Sequence, residues 1–400
     1  MKMKNQTIRT GLYFERLTVA FSSGLFLVLP LYFKKLGWDE VFFGQVYAVG
    51  AIGTILCVAL GAVMIRSIGL SKVAPLGSLF YAIGCLLYLT SDSIKNVNLY
   101  YFASLFQGAG WGLVFTMGPI CMSTTVDSKT RSYYFTIYAA YSTLGVGVAP
   151  LIAHGLIEYL HWTYQDLFVL GSAFSGIAFL ISSIVARSNA YYESANIGTG
   201  LSGWSEFVVV MRQPSSYFFV MVLFGACVYT AMINLQTTFA TAQGIDYTVF
   251  YFFYSLAVVL SRFFLSKPLS RIAPKSSIIY LMLLMISALA LMFWAEYSLL
   301  FYAASSLLLG ISYGLVYPII QAQATNNAPA HLQPQTLVYF SLSYFFAVYL
   351  FPYLGASIAI RNGYSALLWI LILSASAELL TAFYFYNVVF RISTTTLTVK

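Results

Sequence analysis

Five ionisable residues sit inside long apolar stretches of this chain: Glu15 and Arg16 near the start, then His154, Arg262 and Glu378. An ionisable group near a bilayer centre costs roughly 2.5–3.5 kcal/mol on insertion scales, so each is a functional candidate. A carboxyl in such a place can hold or release a proton. Glu15 and Glu378 are therefore candidates for coupling an ion to other chemistry, with Arg262 as a candidate partner for Glu15. Successive helical positions point apart, so Glu15 and Arg16 do not count as a pair. Arg16 and Arg262 lie close enough to helix ends either to snorkel to water or to turn inward.

Catalytic chemistry has little support. His154, His161 and His331 are scattered, and His154 has no acidic neighbour within a turn; it reads as an interfacial or packed histidine. Cys57, Cys85, Cys121 and Cys227 all fall in apolar segments without CxxC spacing, as small hydrophobes do. No Gly-x4-Gly-Lys-Ser/Thr loop occurs. The run Gly145-Val-Gly147-Val-Ala-Pro150 follows no strand and lacks the third glycine of a dinucleotide fingerprint. The chain is expected to be no enzyme and to hold no metal and no cofactor.

The elements that must position these residues are set by composition. Of 400 residues 60% are hydrophobic and 8% charged, against about 25% charged in soluble domains. An integral membrane protein follows. Its net charge of +8 lies in short loops, which does not suit nucleic acid. Apolar runs of about 20 residues mark spanning helices. Twelve are expected, near 11–33, 42–65, 73–90, 99–122, 134–157, 166–186, 216–240, 248–266, 276–295, 299–325, 335–360 and 364–389. The first follows Lys2, Lys4 and Arg9 but is too long for a signal peptide core, so it is expected as a retained helix. With the N-terminus inside, only Lys34, Lys35, Lys95 and Arg361 of 20 Lys and Arg face outward. That bias places both termini in the cytoplasm. The inner loop from Arg187 to Pro214 divides into an expected linker, Ser188–Gly203, and a segment from Trp204 that reads as a tether or an interfacial helix.

The two ends of this plan resemble each other. LYYFASLFQGAGWGLVFTMGPICM, from Leu99, is echoed by LLFYAASSLLLGISYGLVYPIIQAQAT, from Leu299. Gly108 to Gly310, Gly112 to Gly314 and Pro150 to Pro352 are all steps of 202. Such repeats recur in secondary transporters. The expected domains are therefore residues 1–186 and 215–400, each a six-helix bundle, joined by a cytoplasmic loop over 187–214.

Over nearly its whole length the chain resembles the major facilitator superfamily, with bacterial twelve-helix efflux-type members the nearest likeness. The resemblance rests on LPLYFKKLGWDEVFFGQVYAVGAIG, GAVMIRSIGLSKV, LFQGAGWGLVF and LGVGVAPLIAHG in the first half. QGIDYTVFYFFYSLAVVLSRFFLSKPLSRIAPKS and LLLGISYGLVYPIIQAQATNNAP carry it in the second. In the family's loop after helix two, Gly61 and Arg66 match but Ile65 replaces the acid; in the second copy Arg271 matches. The resemblance implies that these form cytoplasmic gate loops. The family's helix-four arginine is Ser104 here, and the antiporter signature of helix five keeps Pro150 but not its glycines. Gly145 and Pro150 would bend that helix.

The resemblance also implies that helices one, four, seven and ten line a central cavity. There they would present Ser22 and Ser23, Gln107 and Trp111, Tyr229, Asn234 and Gln236, and Tyr313, Tyr317 and Gln321. An apolar, aromatic pocket with a few polar groups suits a neutral or amphipathic solute better than a compact anion, although small and polar residues also pack helices together. The implied function is secondary active transport of a small organic solute by alternating access. Export is favoured; the alternatives are uptake of a nutrient or metabolite, or a transport-inactive sensor. A coupling proton or cation, a lipid bilayer and a monomer complete the expectation, in a bacterial inner membrane.

Overall fold

A helix saturated with apolar side chains can cross a bilayer because its backbone hydrogen bonds are satisfied within itself. The computed structural model describes residues 2–38, 40–94, 96–188 and 204–390. Lys95 and all but the first residue of the Ser188–Gly203 linker lie outside them. The described residues are almost wholly helical, and eleven runs are long and apolar enough to span a membrane. The last run, Ala330–Val389, has 60 residues. At about 1.5 Å per residue it would far exceed a hydrocarbon core of about 30 Å. It breaks at Gly363, whose φ of 84° and ψ of 166° are non-helical. Only glycine takes such a conformation without strain, and its two arms are the eleventh and twelfth spans.

Packing divides the chain into two units. The first comprises Met1–Asp127 and Tyr138–Gly200, and the second Ser128–Ile137 and Leu201–Lys400. The first contains α1 (Lys2–Leu25), which runs through a 3-10 turn into Leu29–Lys35, then α2 (Glu40–Ile68), α3 (Leu70–Ile94) and α4 (Val97–Ser123). Most of α5 (Arg131–Leu160) and α6 (Tyr164–Ser188) complete it. The first helix begins earlier than the apolar pattern because hydrogen bonding continues through its polar start. Arg9 there donates to the Thr125 carbonyl at 3.0 Å.

The second unit holds α7 (Tyr217–Asn234), α8 (Tyr247–Leu260), α9 (Pro274–Leu291), α10 (Leu299–Asn326) and the two arms, α11 and α12, of Gln333–Tyr384. The seventh span ends sooner than expected. The backbone turns at Leu235 before a short helix over Gln236–Ala242, and Asn234 is drawn back onto the Thr230 carbonyl. Residues Trp204–Met211 form a short helix packed on this unit, with Val210 fully buried and Phe207 edge-on to Tyr339.

The 202-residue register reappears in three dimensions. A Cβ built at Gly108 would lie 1.9 Å from the Gly50 carbonyl oxygen, and one at Gly310 would lie 2.6 Å from that of Tyr254. Thus α4 meets α2, and α10 meets α8, through a glycine that lets backbones touch. The caps repeat as well. Asn96 caps α4 by accepting from the Asn98 N–H, and Ser298 caps α10 by accepting from that of Leu300; 298 − 96 is again 202.

Candidate functional site

The buried charges of the first unit lie on α1. Glu15 is 3% exposed and accepts a hydrogen bond from Ser78 of α3 at 3.2 Å. Arg16 is 4% exposed and turns the other way. Its guanidinium carbon lies 5.0 Å from the Trp111 ring centroid and 5.5 Å from those of Phe115 and Tyr138. Their hydrogen-bonding and ring partners differ, as adjacent helical positions require, although the two charges act on each other and both act on Tyr138. Trp111 and Phe115 are one turn apart on α4, so both rings serve the same face. Such ring faces attract a cation, more strongly where water is excluded.

The second unit builds a different surrounding for its arginine. Arg262 lies in a π-helical turn, Ser261–Leu265, where α8 widens before Ser266–Leu269. Single π turns are frequent at functional sites. Arg262 is buried, and its Nε donates to the Gly314 carbonyl at 2.7 Å. Four tyrosines act on it electrostatically: Tyr254, Tyr313, Tyr229 and Tyr317. Tyr229 stacks on Tyr313 with centroids 4.7 Å apart and planes 7° apart. Tyr317 stands 6.2 Å from Tyr313 and 5.2 Å from Tyr344. The buried Tyr313 hydroxyl makes no hydrogen bond.

Three of the expected cavity residues thus come together in this cluster: Tyr229, Tyr313 and Tyr317. The others have partners of their own within each unit. Ser22 is buried in a knot of α1, α3 and α6, donating to Gly171 O at 2.7 Å and accepting from Ser175 at 2.9 Å. Ser23 beside it is half-buried. Gln107 points at the Cys85 sulfur, 3.6 Å away. Gln236 is buried and donates to the Tyr302 hydroxyl at 2.8 Å, whereas Asn234 is exposed. Gln321 is buried on α10, its carbonyl accepting from Thr325.

Glu378 is buried on α12 against α7. A Cβ at Gly225 would lie 2.9 Å from both carboxylate oxygens, so the absent side chain makes the niche. Its Oε2 has no hydrogen-bond partner. Gly61 is buried within α2, Arg66 is half-buried in its last turn, and Arg271 is exposed in the turn after Leu269. Gly145 packs on the Leu17 carbonyl, and Pro150 stands inside α5.

Two readings from the sequence are sharpened. Arg16 and Arg262, which the sequence left open between snorkelling and turning inward, are both buried, the one against aromatic faces and the other on a helix carbonyl. His154 does have an acidic neighbour. Glu158, four residues on and just over one turn away, pairs with it at 2.6 Å, and both are exposed.

Several contributors carry no mark in the sequence. Phe115, Tyr138, Tyr254 and Tyr344 are four among 65 phenylalanines and tyrosines (33 and 32), distinguishable only by spacing from a buried arginine. Arg131 begins α5 but belongs to the second unit, donating to the Asn326 and Gln333 side-chain oxygens, while Asn326 donates to Ser128 O at 3.0 Å.

Similarity to known proteins covers nearly the whole chain. FucP, the E. coli fucose–proton symporter, superposes in its outward conformation with a TM-score of 0.76 at 13% identity, over 94% of this chain and 98% of that one. A bacterial homologue of the iron transporter ferroportin, outward-facing, gives 0.80 at 12% identity over 95% and 99%. The human organic anion transporter MFSD10 gives 0.72 at 14% identity over 95% and 99%. At such identities the likeness shows the fold alone. No curated protein matches the sequence closely enough to report. The sequence model that describes the Major Facilitator Superfamily matches residues 17–352, and the chain belongs to that superfamily.

Proposed function

We propose that this transporter exports a small organic solute by secondary active transport, exposing its site to each side of the membrane in turn. The observation that carries the reading is the joining of Tyr229, stacked on Tyr313, and Tyr317, tilted against it, into one cluster in which the buried Tyr313 hydroxyl has no partner. Rigid rings with hydrogen-bonding edges suit a solute that is part apolar and part polar. Export is the direction that the resemblance to efflux-type members favours. The protein acts as a monomer in a bacterial inner membrane with both termini cytoplasmic, and Glu15 couples flux to a proton.

Purified protein in liposomes tests this. Solute flux should saturate, run outward in the cell's sense and collapse in Tyr313→Ala. Glu15→Gln should abolish uphill movement yet leave exchange down a gradient. Flux in the opposite sense would identify uptake, and binding without flux would identify a sensor.

A further inference from the structure

Arg16 has more hydrogen-bonding capacity than the fold uses. Its Nε and Nη1 are buried and have no hydrogen-bond partner. Among the described residues no carboxylate comes within ion-pair distance of it. The three rings around it offer faces to the charge but no oxygen to its N–H groups. The hydroxyl of Tyr138, one of those rings, is also buried without a partner. A buried guanidinium left this way is costly unless something else supplies the acceptor.

We propose that Arg16 is an anion-recognition residue, binding the carboxylate or sulfonate of an organic solute whose flat apolar body lies against Trp111 and Phe115. One guanidinium with two open donors matches a monoanion, and charge-assisted bonds of this kind are the strong ones. Glu15 and Arg16 act on each other electrostatically, so the one guanidinium does not balance a dianion such as phosphate. Trp111 and Phe115 are half-buried rather than enclosed, so their rings keep some exposed surface. A bare halide would leave that surface unused. The proposal rests on the transport reading for its purpose and deepens it by naming the solute class.

The test is binding to the purified full-length chain, followed by thermal unfolding at constant ionic strength. Benzoate and naphthalene-2-sulfonate are the probes; benzamide is the neutral match and chloride the small-anion control. Benzoate should raise the unfolding temperature, and Arg16→Gln should weaken its apparent affinity about tenfold or more. Arg16→Lys, which keeps the charge but loses the fork, should fall between. On the unaltered protein, benzoate should protect Arg16 from modification by phenylglyoxal, read by peptide mass. No response to either acid, an equal response to benzamide or chloride, or equal labelling with and without benzoate overturns the proposal. So does undiminished benzoate affinity in a folded Arg16→Gln protein. Benzoate binding through Arg16 without flux of any solute would overturn the transport reading alone.

Discussion

Arg16 of the first unit and Arg262 of the second are both buried on spanning helices among aromatic rings, but they spend their donors differently. Arg262 gives its Nε to the Gly314 carbonyl and sits in a widened turn that aims it there. Arg16 lies among ring faces, feels the charge of Glu15, and keeps Nε and Nη1 without a hydrogen-bond partner. A donor bonded to the backbone fixes a helix; a donor with no partner awaits a ligand. The pair therefore separates scaffold from recognition within one molecule, although the same residue type serves both.

The helix seams beneath the two arginines differ in the same direction. Gly108→Ala would drive a Cβ into the Gly50 carbonyl, whereas at Gly314 the nearest atoms are the Val258 side chain and Cα at 3.3 Å. Overpacking costs typically about 1–3 kcal/mol and more against backbone. Gly108→Ala should therefore show the largest loss, at or beyond about 3 kcal/mol or as failure to fold, with Gly314→Ala mild. Equal losses in thermal unfolding would erase the distinction between the seams. Next in size, Arg262→Gln should lower stability by about 1.5–3 kcal/mol, the range for a hydrogen bond to a charged group. Arg16→Gln should leave unliganded stability nearly unchanged. The reverse order would exchange the roles assigned to the two arginines.

The smallest effect concerns caps. Asn96 and Ser298 are neutral, but Asp246, which caps α8, titrates. The Thr248 backbone N–H and then its hydroxyl hold the Asp246 carboxyl below the usual carboxylate range. A depressed folded value means that the cap's contribution is present at neutral pH and is lost as pH falls through that value. Amide protection at residues 247–250, corrected for the intrinsic pH dependence of exchange, should fall in acid while protection at the starts of α4 and α10 stays unchanged. Asp246→Asn should remove the pH dependence.

Much of the scaffold was legible because hydropathy and repeats report on it directly. The twelve apolar runs and the Gly108–Gly310 register both answer to the bilayer and to helix contact, which leave periodic marks. The matched caps at Asn96 and Ser298 lie on the same register but show only when hydrogen bonds are drawn. The site was less legible. Helix order by resemblance points to Tyr229, Tyr313 and Tyr317, whereas nothing in the aromatic run YFFY sets Tyr254 apart from a lipid-facing residue. Ser22 read as a polar lining residue, yet three helices consume its hydroxyl. A pattern along one helix says which face is apolar but not which neighbour a side chain will meet.

Gly363 joins the last two spans with a single non-helical residue instead of a loop. Gly69, with a φ of 84°, joins α2 to α3 in the same way, whereas longer connections, such as residues 124–130 between α4 and α5, let neighbouring rods shift independently. At Gly363 a tilt of one rod is handed to the next through one pair of torsions, so α11 and α12, including the niche of Glu378, answer to movement as one hinged piece.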